Sequence, residues 1–124
     1  MYLLDTNTII DFLNSKLPLN ANQLMFSLEP KISVITQIEL FSSSKISDAE
    51  LKELDSFIEI VTIYDKIDAK IVSISINLRK KYKIKLPDAI IAATAILYNL
   101  ILITRNIKDF ENITEIQTIN PYEL

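Results

Sequence analysis

The sequence predicts an α/β fold, a three-layer sandwich whose mostly parallel central sheet of about five strands is flanked by helices. Three observations carry this. Short apolar runs alternate with helical stretches along the chain, the order that crossovers in a parallel sheet require. Isoleucine occurs 23 times, which favours buried strands and well-filled helices. No linker, repeat or low-complexity segment interrupts the 124 residues, so residues 1–124 read as one domain, long enough to bury a core without disulfides or metal staples.

Tyr2 to Leu4 is an apolar run ending at Asp5, hence a buried first strand, and Thr6-Asn7-Thr8 offers capping chemistry for a helix through Leu13. Pro18 and Asn20 break the chain before a short helix from about Ala21 to Leu28, which Pro30 ends. Ile32 to Ile35 reads as the second strand. Thr36-Gln37-Ile38-Glu39 then opens a helix through about Ser43, with Thr36 and Glu39 in capping-box register. Ser47-Asp48-Ala49-Glu50 is another such box, starting a helix to about Phe57, and Ile58 to Ile63 is the third strand. From Asp65 to about Tyr82, Ile67, Ile71, Ile74 and Leu78 recur on one helical face. Pro87 suits the first position of the next helix, Asp88 to Tyr98. Leu100 to Ile103 is the fourth strand, Ile107 to Phe110 a short turn or helix, and Thr114 to Ile119 an edge strand.

Composition then narrows the chemistry. The chain has no Gly, His, Cys or Trp. That excludes zinc fingers, Cys-His and Ser-His-Asp catalysis, phosphate-cradling glycine loops and nucleophile elbows. What remains is carboxylates, Lys and Arg, hydroxyls and amides, a set suited to oxygen-bound Mg²⁺ or Mn²⁺. The net charge of −3 gives no bulk support to nucleic-acid binding, which leaves that task to a local basic patch. The acidic start Met1-Tyr2-Leu3-Leu4-Asp5 lacks the basic region of a signal peptide, and the longest apolar stretch, Ala89 to Leu97, is too short for a membrane span. A cytoplasmic protein is the expectation. Where a glycine-free chain needs a left-handed residue, asparagine is the next choice, and Asn99 stands where a glycine helix stop belongs.

Most of the 16 acids, Asp48, Glu50 and Asp68 among them, read as solvated helix faces. Four do not. Asp5 closes the first strand, Glu39 follows the second, Asp109 follows the fourth, and Asp88 opens the nearly all-apolar helix Ala89-Ile90-Ile91-Ala92-Ala93. Each has an ordinary structural role open to it: Asp5 as a helix cap, Glu39 in its capping box, Asp88 as a first-turn acid favoured by the helix dipole, Asp109 as a loop acid. Ligands of parallel sheets sit beyond the carboxyl ends of the strands. Carboxylates gathered there repel one another, and a divalent cation relieves the repulsion.

The motifs also resemble a known family. Leu4-Asp5-Thr6-Asn7, Thr36-Gln37-Ile38-Glu39-Leu40, Leu86-Pro87-Asp88-Ala89-Ile90-Ile91-Ala92-Ala93 and Leu102-Ile103-Thr104-Arg105-Asn106-Ile107-Lys108-Asp109-Phe110 look, in that order and spacing, like the four motifs of a PIN domain of the VapC-like type II toxins. The resemblance spans essentially the whole chain. It implies a PIN-like sandwich and a Mg²⁺- or Mn²⁺-dependent endoribonuclease in which Asp5, Glu39 and Asp88 hold metal, directly or through water. The fourth position falls to Asn106, where many members carry an acid, or to Asp109; an asparagine there removes one negative charge and weakens a second metal. Asn7 and Thr104 are implied to orient ligands or water. The implied chemistry is in-line attack of metal-activated water on RNA, leaving 5′-phosphate and 3′-hydroxyl ends. A cognate antitoxin that covers the site and a homodimer are the implied partners, with apolar residues of the helices at Ala21 to Leu28 and Leu51 to Phe57 available either for those contacts or for the core.

The one dense basic run, Arg79-Lys80-Lys81-Tyr82-Lys83-Ile84-Lys85, either guides RNA phosphates towards Asp88 or is a solvated helix end whose cations suit the dipole. Two other functions compete with the nuclease. One is a catalytically weak module of the same fold that acts through protein or RNA contacts. The other is a receiver-like phosphoacceptor, which wants an adjacent acid pair after the first strand and a late lysine; Asp5-Thr6-Asn7 and Arg105-Asn106 stand there instead.

Overall fold

The computed structural model describes all residues, 1–124. In chain order it contains β1 (Tyr2–Leu4), α1 (Thr6–Leu13), α2 (Leu19–Ser27), β2 (Lys31–Ser33), α3 (Val34–Phe41), α4 (Asp48–Ile60), β3 (Thr62–Tyr64), α5 (Ala69–Lys81), α6 (Leu86–Leu97), β4 (Ile101–Ile103), α7 (Ile107–Phe110), β5 (Thr118–Ile119) and a closing 3₁₀ turn, Pro121–Glu123.

Every strand pair is parallel. β1 pairs with β4 in the register Tyr2 to Ile101 and Leu4 to Ile103, and β4 pairs in turn with β5. β2 pairs with β3, Ser33 opposite Tyr64. β1 lies alongside β2, but no hydrogen-bond ladder joins them, so the five strands form a three-stranded and a two-stranded sheet side by side instead of one continuous sheet.

Strand alternation divides the core. Leu3 and Leu102 point to a cluster with Ile71 and Leu78 of α5, Ile91 of α6 and Phe110 of α7. Their neighbours Leu4 and Ile103 point to the opposite side, where Ile9, Met25, Leu40, Leu54 and Phe57 come from α1 to α4. That is the expected three-layer arrangement, with helices on both faces. Helix α6 is the most enclosed: all residues from Ala89 to Ala95 are buried, and its alanines let neighbouring elements approach closely.

Several boundaries differ from the sequence reading for local reasons. The second strand stops at Ser33, whose hydroxyl caps α3 by accepting from the Ile35 amide at 3.1 Å. The helix therefore starts before Thr36, and Thr36, which sits inside it with a buried hydroxyl lacking any partner, caps nothing. Helix α4 continues to Ile60, so the third strand shrinks to Thr62–Tyr64. Helix α5 begins after Asp68, which accepts from the Ile71 amide at 3.0 Å, and leaves Asp65 outside. The edge strand keeps only Thr118 and Ile119.

Asn99 is left-handed, with φ of 54°. The Leu100 amide donates to Ala95 O at 2.8 Å and the Asn99 amide to Ile96 O at 3.3 Å, the paired bonds of a Schellman stop. Helix α1 ends the same way at Ser15, φ 57°, through Lys16 N to Asp11 O and Ser15 N to Phe12 O. No helix is long and apolar enough to cross a membrane.

Candidate active site

The strand ends assemble the site. Asp5 directly follows β1, and its amide donates to Ile103 O at 3.0 Å, which locks it to the end of β4. Its side chain is buried, and three donors hold it. Oδ1 accepts from the Thr6 amide at 2.8 Å, so Asp5, and not Thr6-Asn7-Thr8, caps α1. Oδ2 accepts from the Thr104 hydroxyl at 2.7 Å and from Asn7 Nδ2 at 3.2 Å. Asn7 is fixed in turn, because its Oδ1 accepts from the Arg105 amide at 2.9 Å. The sequence resemblance implied that Asn7 and Thr104 orient ligands or water; the structure shows both donating to Asp5.

Glu39 reaches the same place from the middle of α3, where Oε1 accepts from the Thr6 hydroxyl at 2.7 Å. Asp88 arrives in the first turn of α6, because Lys85 is the cap and Pro87 lies within the opening turn. Asp5, Thr6, Asn7, Glu39, Asp88 and Asn106 line one open recess of about 230 Å³, together with Asp11 and Arg105. Asp109 does not line that recess. It faces Asp88 across an adjoining groove of about 330 Å³, which also holds Lys81, Lys83, Lys85 and Lys108. Of the basic run, Arg79 and Lys80 stay on the exposed last turn of α5, outside this groove.

Asp88 is electrostatically distinct. Half-burial pushes its carboxyl up to about 6, and the negative charges of Asp109, Asp5 and Glu39 push the same way, with Lys85 opposing them. No hydrogen bond stabilises its charged form. No three acids crowd closely enough to enclose a cation by themselves. The donor set nonetheless fits Mg²⁺ or Mn²⁺: all its ligating atoms are oxygen, and Mg²⁺ takes few carboxylates while keeping several waters.

Two site residues were missed in the sequence: Thr6, read only as capping chemistry, and Asp11, which was not singled out. Thr6 positions Glu39. Asp11 is buried inside α1 and accepts from Arg105 Nη1 at 3.0 Å and from the Tyr122 hydroxyl at 2.9 Å, both on Oδ2. A signal existed for Asp11: an acid one helical turn from Thr8 and Asn7, on the face that α1 turns towards the site.

Comparison with known proteins identifies the family of the fold. The family model described as PIN domain matches residues 2–116. Among solved structures, a chain of a toxin–antitoxin complex from Klebsiella pneumoniae is similar at 35% identity, with all of both chains covered and a TM-score of 0.78. VapBC2 from Rickettsia felis, bound to a DNA fragment from its promoter, is similar at 29% identity over 96% of this chain and 97% of that one, TM-score 0.77. DNA-bound VapBC from Salmonella typhimurium is similar at 27% identity over 97% of each chain, TM-score 0.81. No curated protein sequence matches the chain.

Proposed function

This chain belongs to the PIN domain family, and from that premise we propose that it is a Mg²⁺- or Mn²⁺-dependent endoribonuclease, the toxin of a type II toxin–antitoxin pair acting in the cytoplasm, with residues 1–124 as its single domain. The observation that carries this is the state of Asp88: a carboxyl pushed up to about 6 first by its half-burial and then by three other acids at the carboxyl edge of a parallel sheet. Such a cluster is poorly matched to its own charge and well matched to a cation.

Asp5, Glu39 and Asp88 would hold the metal, with Asn106 in the same recess and Asp109 adding its charge from the neighbouring groove. When bound, the metal supplies an activated water and neutralises charge on the phosphoryl oxygens. Thr104 and Asn7 hold Asp5 Oδ2 and the Thr6 amide holds Oδ1, the Thr6 hydroxyl fixes Glu39, and Asn7 ties the loop after β4 to α1. Lys81, Lys83, Lys85 and Lys108 offer RNA phosphates a cationic track that runs up to Asp88. Exposed Ile10, Ile38 and Ile60 on α1, α3 and α4 leave apolar surface for an antitoxin or a second copy, in keeping with similarity to chains from toxin–antitoxin complexes. Asn106, standing where many members carry an acid, is what favours the second reading, a weakly catalytic binding module.

The test is cleavage of pooled tRNA, rRNA and mRNA in Mg²⁺ or Mn²⁺. The proposal expects cutting that EDTA and Asp5→Asn both abolish. Absence of metal-dependent cutting across all three pools overturns it and leaves the binding module.

A further inference from the structure

Arg105 is the one cation in a recess lined by four acids. Its position is unusually determined. The backbone amide is fixed by Asn7, and Nη1 is anchored to Asp11, a carboxylate only 4% exposed. Tyr122, from the closing 3₁₀ turn, donates to the same Asp11 oxygen and holds the anchor from its other side. Here the acid is buried while the arginine side chain is 51% exposed, with Nη2 and Nε not engaged by any protein acceptor.

We infer that Arg105 is a phosphate-binding residue of the site, gripping a non-scissile phosphate of the RNA beside the carboxylate recess, and that Asp11 and Tyr122 are positioning residues that aim it. The inference rests on the ribonuclease reading and deepens it by naming a substrate contact. The chemistry suits a guanidinium. One edge is committed to Asp11, and the remaining donors form a planar fork that matches phosphate oxygens. The guanidinium is also the one positive group a phosphate would meet in a recess whose other charges are all negative.

The probe is a fluorescein-labelled, phosphorothioate-linked RNA 12-mer of mixed sequence, bound in Mg²⁺ and followed by anisotropy across a salt series, with circular dichroism on each variant. Arg105→Gln should weaken binding about tenfold, the size of a lost charge-assisted contact, and make the salt slope shallower by about 0.7, the value of one phosphate contact on a single strand. Arg105→Lys should keep the slope but recover only part of the affinity. Asp11→Asn and Tyr122→Phe should raise KM for RNA more than they lower kcat, because they loosen the aim without touching the reacting atoms. Folded Arg105→Gln with wild-type affinity and slope overturns the inference alone. A wild-type chain that neither binds nor cuts RNA overturns the ribonuclease reading and this inference with it.

Discussion

Helices α1 and α6 are built alike and present their acids differently. Each carries a carboxylate at its start in the recess, Asp5 and Asp88, and each ends in a Schellman stop without glycine, at Ser15 and Asn99. Asp5 is buried yet held by three donors. Asp88 is half-buried, held by none, and faces three other acids. The first carboxylate therefore contributes to the fold, while the second is a local conflict that the protein retains. Such a conflict is one that a bound cation would relieve.

The largest expected effect removes the distinction. Asp5→Asn and Asp88→Asn should each reduce RNA cleavage by about 10²-fold or more, as loss of a principal transition-state charge does. Stability then separates them. Asp5→Ala loses a helix cap and leaves the buried Thr104 hydroxyl without its acceptor, so urea unfolding should show a loss of about 2–3 kcal/mol. Asp88→Asn should move the other way, gaining on the order of 1 kcal/mol at pH 7.5, after discounting a half-exposed group for solvent screening.

The pH dependence of that gain has a definite sign. The Asp88 carboxyl is raised from 3.8 to about 6, so the folded chain keeps its proton where the unfolded chain has lost it. Stability is fullest below about 4 and falls as pH rises through 6. The advantage of Asp88→Asn should accordingly shrink to nothing near pH 4. Smallest of all is the difference between the helix stops. Ser15→Gly should stabilise by about 0.5 kcal/mol, because serine is strained at φ 57°, whereas Asn99→Gly should change little, because asparagine tolerates that region.

The same two helices show what a sequence can reveal. Asn99 was legible because a helix stop between an apolar helix and a strand has a narrow residue choice. Ser15 was not, because the approach to Pro18 already reads as a break and masks how α1 ends. Asp5, Glu39, Asp88 and Asp109 were legible as acids set against apolar strand ends and helices, and the structure places Asp5, Glu39 and Asp88 in one recess with Asp109 beside it. Of the two residues proposed for the fourth position, Asn106 lines the recess, while Asp109 lies in the adjoining groove beside Asp88. The Asp11–Arg105 pair was hidden because it joins residues 94 apart in sequence, and only the closure of β1 against β4 brings them together. The early start of α3 was hidden because Ser33 and Thr36 compete as caps, and local pattern does not rank them.

One measurement tests directly whether the conflict at Asp88 exists to hold a cation. Mn²⁺ is titrated into the wild-type chain and into Asp88→Asn at pH 7.5, with binding followed by calorimetry and stability by thermal unfolding. Saturable binding that raises the wild-type Tm and is lost in the variant, which starts from the higher Tm, is the predicted result. Equal Mn²⁺ responses in the two chains, or none in either, would contradict it.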